Sequence, residues 1–391
     1  MKKIVAIRIV DFCVVGAGVV GLSAGYAASK LGSVIVVEQG AEGHRNGGSV
    51  GETRLFRNQG DALDRFRVNS AAIIEKEIDP LQKSDGQGAT IDRSMPVYVV
   101  KDNIRSVDPE GGVLRLRLLM NRLKVLVRRN GGEVRFHTRF DAYRRANELF
   151  VIDTSQGSIY ARHLIQTMGP WAVPLAMQAA QQVGKPSPYF AQRADLYFFQ
   201  ATQNEKPIRL PSILGRHVLR ETEFKNMTRE KSLDSVPEGY WEQLRSKKGA
   251  LCGFYSMQEG TLYKMGCWFR HWEQRVDITQ PVVDRAMDPL RMHIGVQFLK
   301  RQFPGVEFKF DHHDSGITTR LEFGLGESIP EGGGAVHLPD GIVRMYCDSG
   351  GFAKMAVGLG QHFVNVALGI ETLDPALDAG RYFRSPLVSK L

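Results

Sequence analysis

Three glycines, Gly16, Gly18 and Gly21, are spaced as G-x-G-x-x-G, and an acid, Glu38, stands at the end of the next apolar run. Glycines at this spacing make a tight turn, let the backbone approach a pyrophosphate, and let a helix pack closely on a strand. The phosphates would rest on N–H groups left unpaired at a helix N-terminus. Glu38 is placed to accept hydrogen bonds from the ribose hydroxyls of an adenosine. Ala17, Val19 and Val20, among the glycines, and Gln39, beside the acid, complete this dinucleotide site. A second candidate for chemistry is Lys264. Alternation through residues 262–268 puts Leu262, Lys264 and Gly266 on one strand face. A lysine aimed into an apolar pocket is costly unless a partner or a function compensates; the alternative is an outward lysine on a half-buried strand.

To hold a dinucleotide, the glycines need a strand before them and a helix after them. Residues 12–15 read as that strand, 21–30 as the helix, and 34–37 as the second strand ending at Glu38. The unit begins near residue 9, a position that fits FAD better than NAD. A polar, glycine-rich loop follows at 44–53, then a helix at 64–77 and a strand at 96–100. Residues 108–112 read as a helix-entry loop, and 114–129 as a long amphipathic helix with Leu116, Leu119, Leu123 and Leu126 on one face. Gly131 and Gly132 stop it before a short strand at 134–136. Residues 150–152 and 158–161 read as a hairpin around Gln156 and Gly157. A strand at 163–168, ending in Gly169, Pro170 and Trp171, returns the chain to the first sheet. Residues 189–199 and 252–269 are rich in strand formers. The charged stretch between them, 221–248, reads as a surface insertion, partly helical near 241–246, and a candidate lid over a substrate pocket. A helix at 284–302, a strand at 341–347 and a helix at 358–368 complete the outline.

The 391 residues are 43% hydrophobic and 24% charged, which suits a two-domain globular chain. No apolar run is long enough for a membrane-spanning helix. The first residues flow into the first strand rather than into a cleavage site, so the expected address is cytoplasmic. None of Cys13, Cys252, Cys267 and Cys347 lies in a C-x-x-C pair, and reduced, buried thiols with no metal site are expected. The net charge of +9 is dispersed, with short clusters at Arg128–Arg129 and Lys247–Lys248. That pattern reads as a solvated surface rather than a nucleic-acid stripe, and it suits an anionic cofactor and a carboxylate substrate.

Four pieces of this sequence resemble the glycine/D-amino-acid oxidase flavoproteins. Within them the chain is most similar to the group of monomeric sarcosine, N-methyltryptophan and pipecolate oxidases. The first piece is the glycine unit. The second, residues 44–57, resembles that group's G-[DE]-T-R-x-x-R loop through Gly51, Glu52, Thr53, Arg54 and Arg57. The third, residues 260–266, is similar to its lysine-bearing strand. The fourth, residues 349–360, is similar to its S-G-x-x-x-K-x-x-x-G-x-G element. The resemblance implies an α/β fold: an FAD-binding Rossmann-like domain of the GR2 type, with a mainly antiparallel β-sheet substrate domain. The first would comprise 1–80, 108–175 and 330–391, and the second 81–107 and 176–329. Ser49, Thr53, Arg54, Gly169, Trp171, Gly350, Gly351, Phe352 and Lys354 would join the cofactor site.

The same resemblance implies a reaction. A neutral amine bearing a carboxylate would lose a hydride from its α-carbon to flavin N5, and O2 would reoxidise the flavin to give H2O2. Arg57 and Lys354 would clamp the carboxylate with charge-assisted bonds; the bland alternatives are a surface arginine and a solvated loop lysine. Lys264 would promote the reaction with oxygen. Arg54 would face the flavin ring or the clamp, or else serve a structural salt bridge. Covalent members of the family attach FAD through a cysteine about thirty residues before the position of Lys354. Residues 318–327 contain none, so noncovalent FAD is expected. Trp268 and Val50 replace two histidines of the group. Trp268, Phe269 and Tyr255 suit an aromatic-sided pocket for a larger or cyclic amine; a core role for each is the alternative. The expected partners are a small amine or amino acid and O2, acting on a monomer. A dehydrogenase with another electron acceptor, or a catalytically silent flavin-binding protein, stands beside the oxidase reading. A flavin aromatic hydroxylase does not, because Asp340–Gly341 and Asp348–Gly350 lack its motif contexts.

Overall fold

The computed structural model describes residues 8–43, 47–49, 51–58, 63–81, 86–101, 104–229, 231–269, 272, 274–278, 287–321, 336–346 and 352–379. Its elements form two large sheets joined by a small one. The expected Gly350 and Gly351, together with Val50 and Cys347, lie outside the described residues.

The first sheet grows from the strand Ile9–Val15, whose run of apolar side chains is buried on both faces, as a central parallel strand must be. It pairs in parallel with Val34–Val37 on one side and with Gly157–Gln166 on the other. Glu133–Arg135 and Val343–Met345 extend the parallel core outward. Phe12 and Val14 face a layer of helices, while Cys13 and Val15 face the antiparallel pair Phe140–Ala146 and Leu149–Thr154. The helices are Val19–Ser29, Leu116–Arg129 and Ala356–Ala367. The last packs against the first at contact distance: a Cβ added to Gly360 would stand 2.5 Å from the backbone nitrogen of Ala24. The Gly358-x-Gly360 spacing therefore serves helix packing.

Some elements differ from the sequence expectation. The hairpin strand at 158–161 and the returning strand at 163–168 are one strand, Gly157–Gln166. The long helix starts at Leu116, because Gly112–Arg115 is a strand paired antiparallel with Thr53–Phe56. Cross-strand hydrogen bonds to that partner outweigh local helix propensity there. The helix expected over 64–77 is Asp64–Ile73, and it widens into a π-helical stretch, Ile74–Ile78.

The second sheet is mainly antiparallel. Tyr189–Gln203 pairs with Leu262–Phe269, which pairs with Ala250–Glu259, which pairs with Ser212–Leu219. A further strand, Glu307–Leu321, runs the length of Tyr189–Gln203. The faces of this sheet differ. Tyr197, Phe199, Tyr263, Met265 and Phe269 pack under the helix Pro289–Gln302, and Leu196, Phe198, Tyr255 and Leu262 cluster on the other side. The stretch 221–248 forms the helices Glu221–Met227 and Glu238–Arg245. Phe224, Met227, Tyr240 and Leu244 bury themselves in the Tyr263–Phe269 core, on the face away from Lys264. The lid expectation is therefore corrected: the segment's apolar side chains claim the back of the sheet, where they stabilise it far from the site.

Candidate active site

The glycine turn is built as a cradle. Gly16 has φ +100, and a Cβ there would stand 2.5 Å from the carbonyl oxygen of Thr167. A Cβ on Gly21 would stand 1.8 Å from the carbonyl oxygen of Gly16, so this glycine sits under the turn and fixes the helix against it. Gly18 is the extended N-cap of Val19–Ser29 and supplies no side chain to cap it. The Val19 N–H donates instead to Ser49 Oγ at 3.1 Å. Glu38 is buried, and its carboxylate accepts from the N–H groups of Ala17 and Gly40, each at 2.9 Å.

A cavity of about 390 Å³ opens above this turn. Residues 16–20, Glu38 and Gln39 form one wall. Ser49, Arg54, Gly169, Trp171 and Phe352 approach from the other elements. Gly21, Thr53 and Lys354 lie outside its lining. The set suits a dinucleotide: a glycine turn leading into a helix N-terminus, with a buried acid beside it. Sequence reading missed Asn121 and Lys124, which line the cavity from the helix Leu116–Arg129. No local motif marks them, since they arrive through packing.

Next to the cradle, the strand Thr53–Phe56 lies between the second sheet and the turn Phe352–Met355. It gathers three charged residues. Lys264 is fully buried, and its ammonium donates to the carbonyl and to the hydroxyl of Thr53, both at 2.7 Å. It also ion-pairs with Glu259, whose carboxylate accepts from the hydroxyl of Thr53 and from its N–H at 3.1 Å. Arg54 donates to the carbonyls of Thr53 and Gly48, each at 2.8 Å, and so braces the loop from inside. Gly51 is squeezed between the cations: a Cβ there would stand 3.4 Å from Arg54 Nη1 and 4.0 Å from Lys264 Nζ. Burial, reinforced by Arg54 and opposed by Glu259, pushes the Lys264 amine down to about 8. Burial alone would raise the Glu259 carboxyl, but Lys264, Thr53 and Arg54 outweigh it and hold it below its ordinary range.

Glu259 was not singled out in the sequence, although its position was legible. It ends one strand of a hairpin, opposite Leu262, and directly paired residues share a face. Leu262 shares its face with Lys264, so Glu259 does too.

Arg57 and Lys354 are both buried, Arg57 at the end of the strand and Lys354 in the turn packed on it. Arg57 donates to the carbonyl of Asn58 at 3.0 Å. Trp268 and Tyr255 are half-buried on the Lys264 face, whereas Phe269, the third aromatic expected there, points to the opposite face by strand alternation and packs in the back core against Tyr240 and Trp272. The Trp268 indole lies over Gly253 and the Tyr255 ring over Gly266, each within 2.6 Å of where a Cβ would be. The glycines thus let two aromatic rings lie flat across the strands. Among the described residues, no group of three or more His, Cys, Asp or Glu gathers to hold a metal. No helix among them is long and apolar enough to cross a membrane.

This architecture is found among solved structures. NikD, described as an unusual amino acid oxidase essential for nikkomycin biosynthesis, superposes with a TM-score of 0.67 at 14% identity, covering 95% of this chain and 97% of that one. The chain has the fold of the amino-acid oxidases. Glycine oxidase from Geobacillus kaustophilus matches at TM-score 0.64 and 13% identity, over 95% of this chain and 98% of that one. L-proline dehydrogenase from P. horikoshii matches at 0.65 and 13%, over 96% and 98%. In sequence, monomeric sarcosine oxidase from Arthrobacter sp. (strain TE1826) is 26% identical over 200 residues, covering 41% of this chain and 51% of that protein. N-methyl-L-tryptophan oxidase from Shigella dysenteriae is 25% identical over 202 residues, covering 41% and 54%. The matched region spans about half the length of these curated relatives. No protein-family model matches the chain.

Proposed function

We propose that the chain is an oxidoreductase that binds FAD without a covalent bond and oxidises a small amine or amino acid bearing a carboxylate. The observation that carries this reading is the buried Lys264 ammonium, held on Thr53 beside Arg54, which lines the dinucleotide cavity. FAD, when bound, supplies the acceptor for a hydride and the site at which dioxygen is reduced. The remaining roles belong to the chain. The turn at 16–20 receives the diphosphate, and Glu38 receives the ribose. Arg57 and Lys354 clamp the substrate carboxylate, and Tyr255 and Trp268 form an aromatic wall that favours a larger or cyclic amine. Lys264 stabilises negative charge as dioxygen is reduced. The balance is simple: the amine gives up one hydride and one proton and becomes an imine, while dioxygen takes up two electrons and two protons and becomes hydrogen peroxide. The names of the relatives support this reading. We further infer a cytoplasmic monomer, in keeping with the buried free thiols of Cys13, Cys252 and Cys267.

A second reading has one observation in its favour. Glu259 compensates the charge of Lys264, as suits a dehydrogenase that passes electrons to another acceptor. One experiment separates the two. The purified yellow protein is reduced anaerobically with N-methyl, cyclic and ordinary amino acids, then mixed with either dioxygen or an artificial acceptor. Fast peroxide-forming reoxidation supports the oxidase. Slow reoxidation by dioxygen beside fast transfer to the acceptor supports the dehydrogenase, and no bleaching by any carboxylate-bearing amine sinks both. Acid precipitation should leave the flavin in the supernatant; yellow colour in the pellet would refute noncovalent binding.

A further inference from the structure

The Lys264 corner contains an ion pair in which Glu259 has no role of its own in the oxidase reading. Lys264 has no exposure and Glu259 keeps 12%. The two are joined to each other and to Thr53 in a closed set of bonds: Lys264 reaches the carbonyl and hydroxyl of Thr53, and Glu259 accepts from the hydroxyl and N–H of the same residue. Thr53 is thus a shared anchor that fixes both charges. A lone ammonium with no exposure would shed its proton, because burial disfavours the charged form. A carboxylate in contact reverses that preference. The groups facing Lys264 are few. From its hairpin partner comes Glu259, from the strand Thr53–Phe56 come Thr53 and Arg54, and Glu52 lies just before it. On the other side its neighbour is apolar, Phe198. The helix Pro289–Gln302 packs behind the strand and presents Arg291 to the carbonyl of Cys267, on the opposite face. Glu259 is therefore the one acid in direct contact with the ammonium among the described residues, and Arg54 works against it.

Glu259 and Thr53 also border a second cavity, of about 550 Å³, which shares Arg117 and Asn121 with the first. Arg115, Arg117, Arg209, Glu52 and Gln258 line it, a polar set open to water.

We infer that Glu259 is a positioning residue that keeps the Lys264 amine charged and fixed on Thr53, and that through this pair the site sets its reactivity toward dioxygen. The part about dioxygen rests on the oxidase reading above; the part about charge does not.

The test uses the flavin-loaded protein with its lysines labelled at Cε, followed by NMR against pH. The Lys264 signal is identified by its loss in Lys264→Met. The wild-type midpoint is expected near 8. In Glu259→Gln it should fall by roughly one to three pH units, the range expected for loss of an adjacent opposite charge. Glu259→Asp keeps the charge and loses reach, so a smaller downward shift is expected; it also serves if the glutamine variant fails to fold. A midpoint at or above the wild-type value in both variants would overturn the inference. The second readout is reoxidation of protein reduced photochemically, with no substrate present. Its pH profile in Glu259→Gln should move to lower pH by the same interval, with an acid plateau no lower than wild type. A plateau lowered equally at every pH would mean that Glu259 only supports the fold. Because neither readout needs an amine, failure to find a substrate leaves the inference standing, and an unmoved midpoint leaves the amine-oxidation reading standing.

Discussion

The cradle at residues 16–40 and the corner around Lys264 handle charge in opposite ways. The cradle offers a glycine turn, a helix N-terminus and one acid, Glu38, all within a single strand–helix–strand unit, with Ser49 from the next loop on the Val19 N–H. The corner uses ionised side chains from separate parts of the chain: Arg54 beside Thr53 and the pair Glu259 and Lys264, with Arg57 after that strand and Lys354 in the turn packed on it. Backbone geometry is all-or-none, since a turn either admits a pyrophosphate or does not. Separate side chains can be removed one at a time, with graded loss. The proposed function therefore joins a cofactor site that should tolerate little change to a reaction site whose rates should be open to adjustment.

The harshest way to probe that contrast is Gly21→Ala. The new Cβ would meet the carbonyl oxygen of Gly16 at 1.8 Å, a backbone atom that cannot rotate away. Protein purified from this variant should carry no flavin, measured as flavin absorbance per chain. Full flavin content would show that the cradle is more pliable than its contacts imply. Lys264→Met comes next. It should slow reoxidation of the reduced flavin by roughly 10²–10³-fold, the scale of removing one preorganised electrostatic group, while reduction by substrate changes far less. Stopped-flow traces of the two half-reactions check this. Equal slowing of both would make Lys264 a structural residue and remove the functional half of the comparison.

The same contrast explains what could be read from the sequence. The cradle was legible because its determinants are neighbours: Gly16, Gly18, Gly21 and Glu38 fall in one window, and the structure puts Gly16 in a tight turn, Gly21 under it, and the Glu38 carboxylate on the N–H groups of Ala17 and Gly40. Alternation put Lys264 on one face with Leu262 and Gly266 but left open which way that face points; the structure buries it. Its partner was within reach too, through the pairing of Glu259 with Leu262, but only once a hairpin turn at Gly260 is assumed. The strand Gly112–Arg115 was not legible, because its partner, Thr53–Phe56, lies far off in sequence. Nor was Glu307–Leu321, whose charged, histidine-rich pattern becomes a strand by pairing along Tyr189–Gln203. The segment 221–248 misled for a related reason. Its many charges suggested a solvent-facing flap, while the few apolar residues that decide its position are spaced for helices.

A milder test addresses the clamp. Arg57→Ala and Lys354→Ala should each leave flavin content normal and weaken substrate binding. Loss of one partner in a buried, charge-assisted pair costs on the order of 2–4 kcal/mol, or roughly thirty- to a thousand-fold. An analogue without the carboxylate should lose much less. If both compounds lose equally, neither residue reads the carboxylate, and the corner reduces to the Lys264–Glu259 pair.

The smallest effect on the site is expected from Phe224→Ala, which decides whether the sheet's back face is separate from its chemistry. Phe224 has no exposure and packs edge-on against Tyr240 and Trp241, in the core that continues through Phe269 to the helix Pro289–Gln302. Truncating a buried phenylalanine leaves a cavity and costs roughly 3–5 kcal/mol, so denaturant unfolding should shift to clearly lower concentration. Yet the side chains lost from contact point away from the face that carries Lys264, Tyr255 and Trp268. The hydrogen bonds that fix Lys264 run to Thr53 and Glu259, none of them through the back core. Both half-reactions should therefore keep wild-type rates at temperatures where the variant stays folded. A large fall in the rate of flavin reduction, with stability restored by ligand or cooling, would mean that the helices Glu221–Met227 and Glu238–Arg245 reach the site after all. The two faces of the sheet would then act as one unit.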